Sequence, residues 1–344
     1  MKKLIALLLA VVMAFGLVAC ASTQPAPTEP STPATDTSTP ADDTPSTPAN
    51  DKLVVGFAQI GQESGWRDAE TNDIQWYAAR NLDTVELVFA DAQQKQENQI
   101  KAIRNFIEMG VDVIAFPPVV ETGWEAVLTE CQEAGIPVIL VDRGIDASAD
   151  QNLYTTMIAS DHVWAGEQAA IVMNDLLGGS GVVVELEGTV GASAAVQRKQ
   201  GFDSYMADNC PDIQIVASQT GDFTRAMGKE VMESFLKTYD NIDGVFCHND
   251  DMALGAIEAI KEAGLKPGED IKIVGVDGVK GAFEAMLAGE MNATVECSPI
   301  LAQQIFDTAA KLKAGESVDK WIMSNDGIYT ADMVTEDVVA SRAY

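Results

Sequence analysis

From Lys52 onward the chain alternates short β-branched runs with segments of helical period, and it does so twice in tandem. That alternation restricts the fold more than any single residue does. "KLVVGFAQ" (52–59), "VELVFAD" (85–91), "VDVIAFPP" (111–118) and "IPVILVD" (136–142) have the composition and length of buried strands. Trp66–Arg80, Lys95–Met109 and Thr122–Ala134 between them carry apolar residues at helical spacing. "EMGVDVI" and "EAGIPVI" both place a glycine where a helix must stop before a strand. A βαβα order gives a parallel sheet covered by helices on both faces.

The second half repeats this order. Strands are predicted at "GVVVELEG" (181–188), "DIQIVASQ" (212–219), "IDGVFCHN" (242–249) and "DIKIVGVDG" (270–278). Helices are predicted at Val163–Asp175, Ala192–Ala207, Arg225–Lys237, Asp250–Ala263 and Gly281–Leu287. The fold expected is α/β: two doubly wound parallel-sheet lobes facing each other across a cleft. Open parallel sheets bind beyond the carboxyl ends of their strands. In this chain those ends include "AQIGQESGWR" (58–67), "VDRG" (141–144), "EGTVGAS" (187–193), "QTGDFTR" (219–225), "HNDD" (248–251) and "VDG" (276–278), most of them rich in charged or amide side chains. A ring of such groups suits a polyhydroxylated ligand.

Catalytic patterns are missing from this ring. The chain has two histidines, His162 and His248, and no HExxH, GxSxG, P-loop or EF-hand spacing. In "CHNDD", strand alternation turns His248 away from the cleft if Asn249 faces it. An amide offers a donor and an acceptor, as a hydroxyl does. Asp250 is expected to cap the following helix, and Asp251 to face solvent or support a neighbour. Asp142 can accept two hydroxyl hydrogens, and Arg143 presents a rigid donor fork. Trp66 either lies against the apolar face of a sugar ring or packs into its own helix.

The N-terminus has the pattern of a targeting segment: Lys2 and Lys3, an apolar run from Leu4 to Val18, then "LVAC" ending at Cys20. Small residues before a cysteine form a lipobox, so residues 1–20 are expected to be a lipoprotein signal with Cys20 lipidated. Residues 21–50 hold no large apolar side chain and are expected to form a Thr/Pro/Ser-rich disordered tether. With 22 Lys and Arg against 52 Asp and Glu, the formal charge is -30, which repels phosphate backbones and argues against nucleic acid as a partner. Cys131, Cys210, Cys247 and Cys297 lack zinc or redox spacing and are expected to be small buried groups.

"QKQENQIKAIRNFI" (94–107), "PPVVETGWEAVL" (117–128), "VDR", "GTVGASAA" (188–195), "GDFTRAMGKEVMESF" (221–235) and "HNDDMALGAI" (248–257) together make the chain resemble periplasmic binding proteins of the ribose and galactose type, closest to the galactofuranose-binding branch. The resemblance spans nearly all of Lys52 to Tyr344. It implies a type I periplasmic binding protein that receives sugar for an ABC importer. It also implies ligand contacts from Asp142, Arg143, Arg198, Phe223, Asn249 and Asp277, with Glu63, Trp66 and Arg67 from the first loop. Cys297 is the tenth ligand position the resemblance implies; it falls where ribose-binding members carry a glutamine, which puts ribose in doubt.

The strand order implies crossovers near Ala159, Ser298 and Ser324, with a return helix over Pro299–Ala314. One lobe would then comprise 51–159 plus 298–323, and the other 160–297 plus 324–344. The expected protein is a monomeric extracytoplasmic lipoprotein, membrane-bound through its lipid alone. It would take a monosaccharide to importer permease subunits, without cofactor, metal or catalysis. A receptor feeding a sensor kinase or chemoreceptor would share the same cleft, and a lipid-anchored glycosidase is the enzymatic alternative. The signal segment, the acidity and the missing helix-turn-helix argue against a LacI-type repressor.

Overall fold

The computed structural model describes residues 52–146 and 152–344. The expected signal segment, Cys20 and the tether lie outside the described residues. In chain order the first half comprises β1 (Leu53–Gln59), α1 (Gly65–Arg80), β2 (Val85–Asp91), α2 (Gln96–Met109), β3 (Val113–Phe116), α3 (Glu125–Glu133), β4 (Val138–Val141) and β5 (Thr156–Ala159). The second comprises α4 (His162–Leu177), β6 (Gly181–Glu187), α5 (Ser193–Asn209), β7 (Ile213–Thr220), α6 (Arg225–Thr238), β8 (Gly244–Cys247), α7 (Asp250–Glu262), β9 (Lys272–Asp277), α8 (Lys280–Leu287) and β10 (Ala293–Glu296). The chain closes with α9 (Ala302–Lys313), β11 (Trp321–Met323), β12 (Ile328–Thr330) and α10 (Glu336–Ser341).

Two six-stranded sheets result, in the orders β11-β5-β4-β3-β1-β2 and β12-β10-β9-β8-β6-β7. Every pairing is parallel except β10 with β12. Composition decides which strands are central. All four residues of β3, β4 and β8 are buried, as helices on both faces require. β2 and β7 keep exposed or half-exposed positions and form the edges. Each sheet reverses its order beside its first strand, at β1/β3 and β6/β8, and the loops there open toward the site.

The chain passes between the sheets three times: after β5, after β10 and after β11. Side chains tie these passages together. Ser160 Oγ lies 2.8 Å from Ser324 Oγ, Ser324 Oγ donates to Asp326 Oδ1 at 2.8 Å, and the Ser298 amide donates to the same oxygen at 3.3 Å. β5, β11, β12 and α10 escape sequence reading, because, unlike the equally short β3, β4 and β8, they are not unbroken runs of buried apolar residues.

Helix ends place several site residues. Ser64 caps α1 by accepting from the Arg67 amide, which sets Trp66 and Arg67 in the first turn. α4 and α5 touch backbone to backbone: a Cβ on Gly166 would stand 2.0 Å from the Arg198 carbonyl oxygen. Glycine there lets α5 approach closely enough to bring Arg198 to the cleft. The four expected buried cysteines are buried and unpaired.

Candidate functional site

A small polar cavity of about 20 Å³ lies where the strand ends of the two sheets face each other. Glu63, Ser64, Trp66 and Arg67 line it from the loop after β1 and the start of α1, and Asp142 and Arg143 from the end of β4. The second sheet contributes Ala194 and Arg198 from α5, Phe223 after β7, Asn249 after β8 and Asp277 at the end of β9.

The first-lobe wall is one buried ion network. Arg67 donates to Glu63 at 3.2 Å, to Glu70 at 2.5 Å and to Asp142 at 2.5 Å, while Arg143 donates to Glu63 at 2.5 Å. Burial alone would push the Asp142 carboxyl up; Arg67, His162 and Arg143 outweigh it and hold the group well below the usual carboxylate range. On the second lobe Arg198 donates to Asp277 at 3.3 Å and to the His248 carbonyl. Burial drives Asp277 well above the ordinary carboxylate range, with Arg198 opposing and Asp250 and Asp142 adding to the rise.

Three cavity residues adopt positive φ: Asp142 at 61°, Phe223 at 58° and Asp277 at 124°. Side-chain-bearing residues rarely visit this region, and each instance costs about 1–3 kcal/mol. Such strain persists where the surroundings over-determine it, and here it aims two carboxylates and a ring at one space. Arg143 and Arg198 lie over the Phe223 ring, 5.1 and 5.9 Å from its centre.

The lobes are bonded across the cleft. Gly65 N–H donates to Asp251 at 2.7 Å, Gly144 N–H to Ser193 Oγ at 2.8 Å, and Glu121 N–H to the Gly191 carbonyl at 2.8 Å. The Trp66 indole N–H donates to the Cys297 carbonyl, and His162 Nε2 meets the Asp142 carbonyl at 2.9 Å.

Nine of the ten sequence-expected ligand residues line the cavity; Cys297 does not. Its carbonyl is taken by Trp66, and its thiol is enclosed near Arg198 and Ser160, where burial pushes it up to about 12. Trp66 is buried, with the Arg67 guanidinium 4.7 Å from its ring centre. Asn249, not Asp250, caps α7: its Oδ1 accepts from Met252 N–H and its Nδ2 donates to the Phe223 carbonyl. Asp250 turns inward instead, where the end of β9 offers it two amides. His248 points away from the cavity, its Nε2 2.9 Å from Glu185.

Sequence reasoning missed Ser64 and Ala194 in the lining and Glu70 and His162 behind it; Asp251, expected to face solvent or support a neighbour, is buried and supports Gly65. Glu70 was within reach, since it stands one helical turn after Arg67. Asp251 gave no local signal, because its partner Gly65 is 186 residues away.

Arg143 Nε and Nη1 and Arg198 Nε are buried without a hydrogen-bond partner among the described residues, Arg143 Nε lying 3.7 Å from Asp142 Oδ2. Donors held out of water unsatisfied are costly, and oxygen atoms of a bound molecule would satisfy them. Asp142 and Asp277 are both paired with guanidinium groups, an arrangement that grips hydroxyls.

Residues 55–317 match the periplasmic binding protein domain family. The galactofuranose-binding protein of Escherichia coli K12 is 48% identical over 291 residues, covering 83% of this chain and 90% of the relative. A crystal structure of a galactofuranose binding protein superposes with a TM-score of 0.81 at 47% identity, over 84% of this chain and 98% of that one. The periplasmic component of the arabinose ABC transporter from Shewanella sp. ANA-3, solved with α- and β-L-arabinofuranose, gives 0.78 at 50% identity, over 81% and 92%.

Proposed function

Because the chain belongs to the periplasmic binding protein family, we propose that it captures a neutral monosaccharide in the furanose ring form, of the galactofuranose type, and hands it to an ABC importer. The observation that carries this reading is the set of buried donors on Arg143 and Arg198 that lack a hydrogen-bond acceptor, in a cavity lined by carboxylates from both lobes. A sugar supplies several oxygens in a small volume and no net charge. Phe223 offers an apolar ring face for its C–H groups. The furanose form is favoured by relatives near half identity whose described ligands are furanoses.

Capture works by closure. Asp142 and Arg143 belong to one lobe, and Arg198, Asn249 and Asp277 to the other, so a sugar touching both sets stabilises only the shut form. The passages at 160–161, 297–301 and 324–327 serve as the hinge, with the Ser160–Ser324–Asp326 bonds at its centre. Lipidation at Cys20 would hold the protein on the outer face of the membrane beside its permease, and a Cys20→Ala chain would then be recovered from the medium.

A thermal-shift comparison tests the reading. D-Galactose and L-arabinose, which populate furanose rings, should raise the melting temperature. Methyl pyranosides, locked in the six-membered ring, should leave it unchanged. A ligand at 100 times its Kd adds roughly 2.7 kcal/mol. Stabilisation by pyranosides alone would contradict the furanose assignment, and no stabilisation by any sugar would overturn the reading.

A further inference from the structure

We propose that Asp250 is a positioning residue for ligand binding: its buried carboxylate holds the backbone of the 277–279 turn and so aims Asp277 into the cavity. The proposal rests on the sugar-cavity reading above. Asp250 does not line the cavity and is fully buried behind it. Its Oδ2 accepts the amides of Gly278 at 2.8 Å and Val279 at 3.0 Å. The Thr294 hydroxyl lies 2.8 Å from Oδ1 and 3.0 Å from Oδ2, and 3.2 Å from the Gly278 amide. One carboxylate therefore joins the start of α7, the end of β9 and the middle of β10.

The space for this group is built into the fold. A Cβ on Gly275 would stand 2.2 Å from Asp250 Oδ1, so only glycine at that strand position leaves room for the carboxylate. The turn it holds is the strained one: Asp277 has φ 124° and Gly278 φ 76°. A side-chain-bearing residue keeps such a conformation only under external restraint. The two amides after Asp277 are bound by Asp250, and the Gly278 carbonyl accepts from Arg342 at 2.8 Å. Without Asp250, two buried amides lose their acceptor, and the turn can relax toward an ordinary φ. Asp277 would then swing away from Arg198 and the ligand. The "ND" pair thus divides its work: Asn249 stands at the cavity, and Asp250 stands behind the next strand's carboxylate.

The test uses the full mature chain with D-galactose as titrant, in the variants Asp250→Ala, Asp250→Asn, Asp277→Asn and Asp250→Ala/Asp277→Asn. Asp250→Ala should weaken binding about 10- to 100-fold. Asp250→Asn, which can still accept from the amides and donate to Thr294, should stay within about threefold. In the Asp277→Asn background, Asp250→Ala should add little, because both changes act through one contact. Hydrogen exchange gives a readout without ligand: the amides of Gly278 and Val279 should exchange faster in Asp250→Ala and not in Asp250→Asn. If Asp250→Ala fails to fold, Thr294→Val takes its place, with a several-fold loss of affinity and faster exchange at Gly278 expected. Unchanged exchange, losses that multiply in the double variant, or unaltered affinity beside a weakened Asp277→Asn would each overturn the proposal. If the wild-type chain binds no sugar, it is the functional reading that fails, and exchange alone then decides whether Asp250 holds the turn.

Discussion

Asp251, at the start of α7 in one lobe, accepts the backbone N–H of Gly65, the first residue of α1 in the other, at 2.7 Å. Its second oxygen takes Arg225 at 3.1 Å. The carboxylate thus supplements the N-terminus of a helix it does not belong to, and it can do so only when the cleft is shut. Asp251→Ala should shift the lobes toward the open form and weaken every sugar by a similar factor, roughly tenfold. Small-angle scattering of the ligand-free variant should show a larger radius of gyration than wild type. An unchanged radius would remove Asp251 from the closure mechanism.

Asp277→Ala and Asp142→Ala should each weaken sugar binding by about 2–4 kcal/mol, from lost bonds to a charged acceptor and from unpaired partners left in the cavity. The two should differ in stability. Without Asp142, buried Arg67 keeps Glu63 and Glu70, whereas Asp277→Ala takes from buried Arg198 the carboxylate it donates to, so Asp277→Ala should lower the melting temperature more than Asp142→Ala does. Calorimetric titration beside thermal melts separates the two effects.

His248→Ala should do the opposite: a clear loss of stability with affinity nearly kept. Its ring partners the buried Glu185, whose carboxyl is held down to about 2 by His248, Lys199 and Ser218 against the upward push of burial. The imidazole does not line the cavity. Loss of binding with unchanged stability would contradict the placement of this side chain.

The pH dependence of stability carries the mark of Asp250. Burial raises its carboxyl to about 7, with Asp251 adding to the rise and Thr294 and the Gly278 and Val279 amides opposing. Asp277 and Cys247 face it from β9 and β8. Its folded-state value exceeds the unfolded one, so the folded state binds the proton more tightly between about pH 4 and 7. This group's contribution is therefore fully present below about pH 4 and lost as pH rises through 7. Asp250→Asn should remove that slope: the melting-temperature difference between variant and wild type should grow in the variant's favour from pH 5 to pH 8. A constant difference would contradict it.

Periodicity and strand-end logic made the two sheets and most of the cavity legible, because buried strands and capped helices leave signals within a few residues. "VDRG" and "HNDD" could be read that way. Arg198 came through the family resemblance, since a lone arginine in a helix has no local mark, while "VDG" placed Asp277 at a strand end and the resemblance supplied its role as a ligand contact. What escaped depends on distant partners: Asp251 on Gly65, His162 on the Asp142 carbonyl, and Asp250 on a turn 28 residues away. Asp250 was misjudged because a carboxylate at a helix start ordinarily caps it. Here Asn249 took the cap, and the glycine at 275 opened an inward site. Cys297 was misplaced because its position on the hinge strand is covered by Trp66.

The central claim is that a furanose ring is held between the lobes. The most direct measurement is the carbon NMR shift of C1 in protein-bound D-galactose labelled at that carbon. The expected result is a single bound anomeric signal in the furanose range, present in wild type and absent in Asp277→Ala at equal concentrations. A bound signal in the pyranose range, or no bound signal from wild type, would contradict the account.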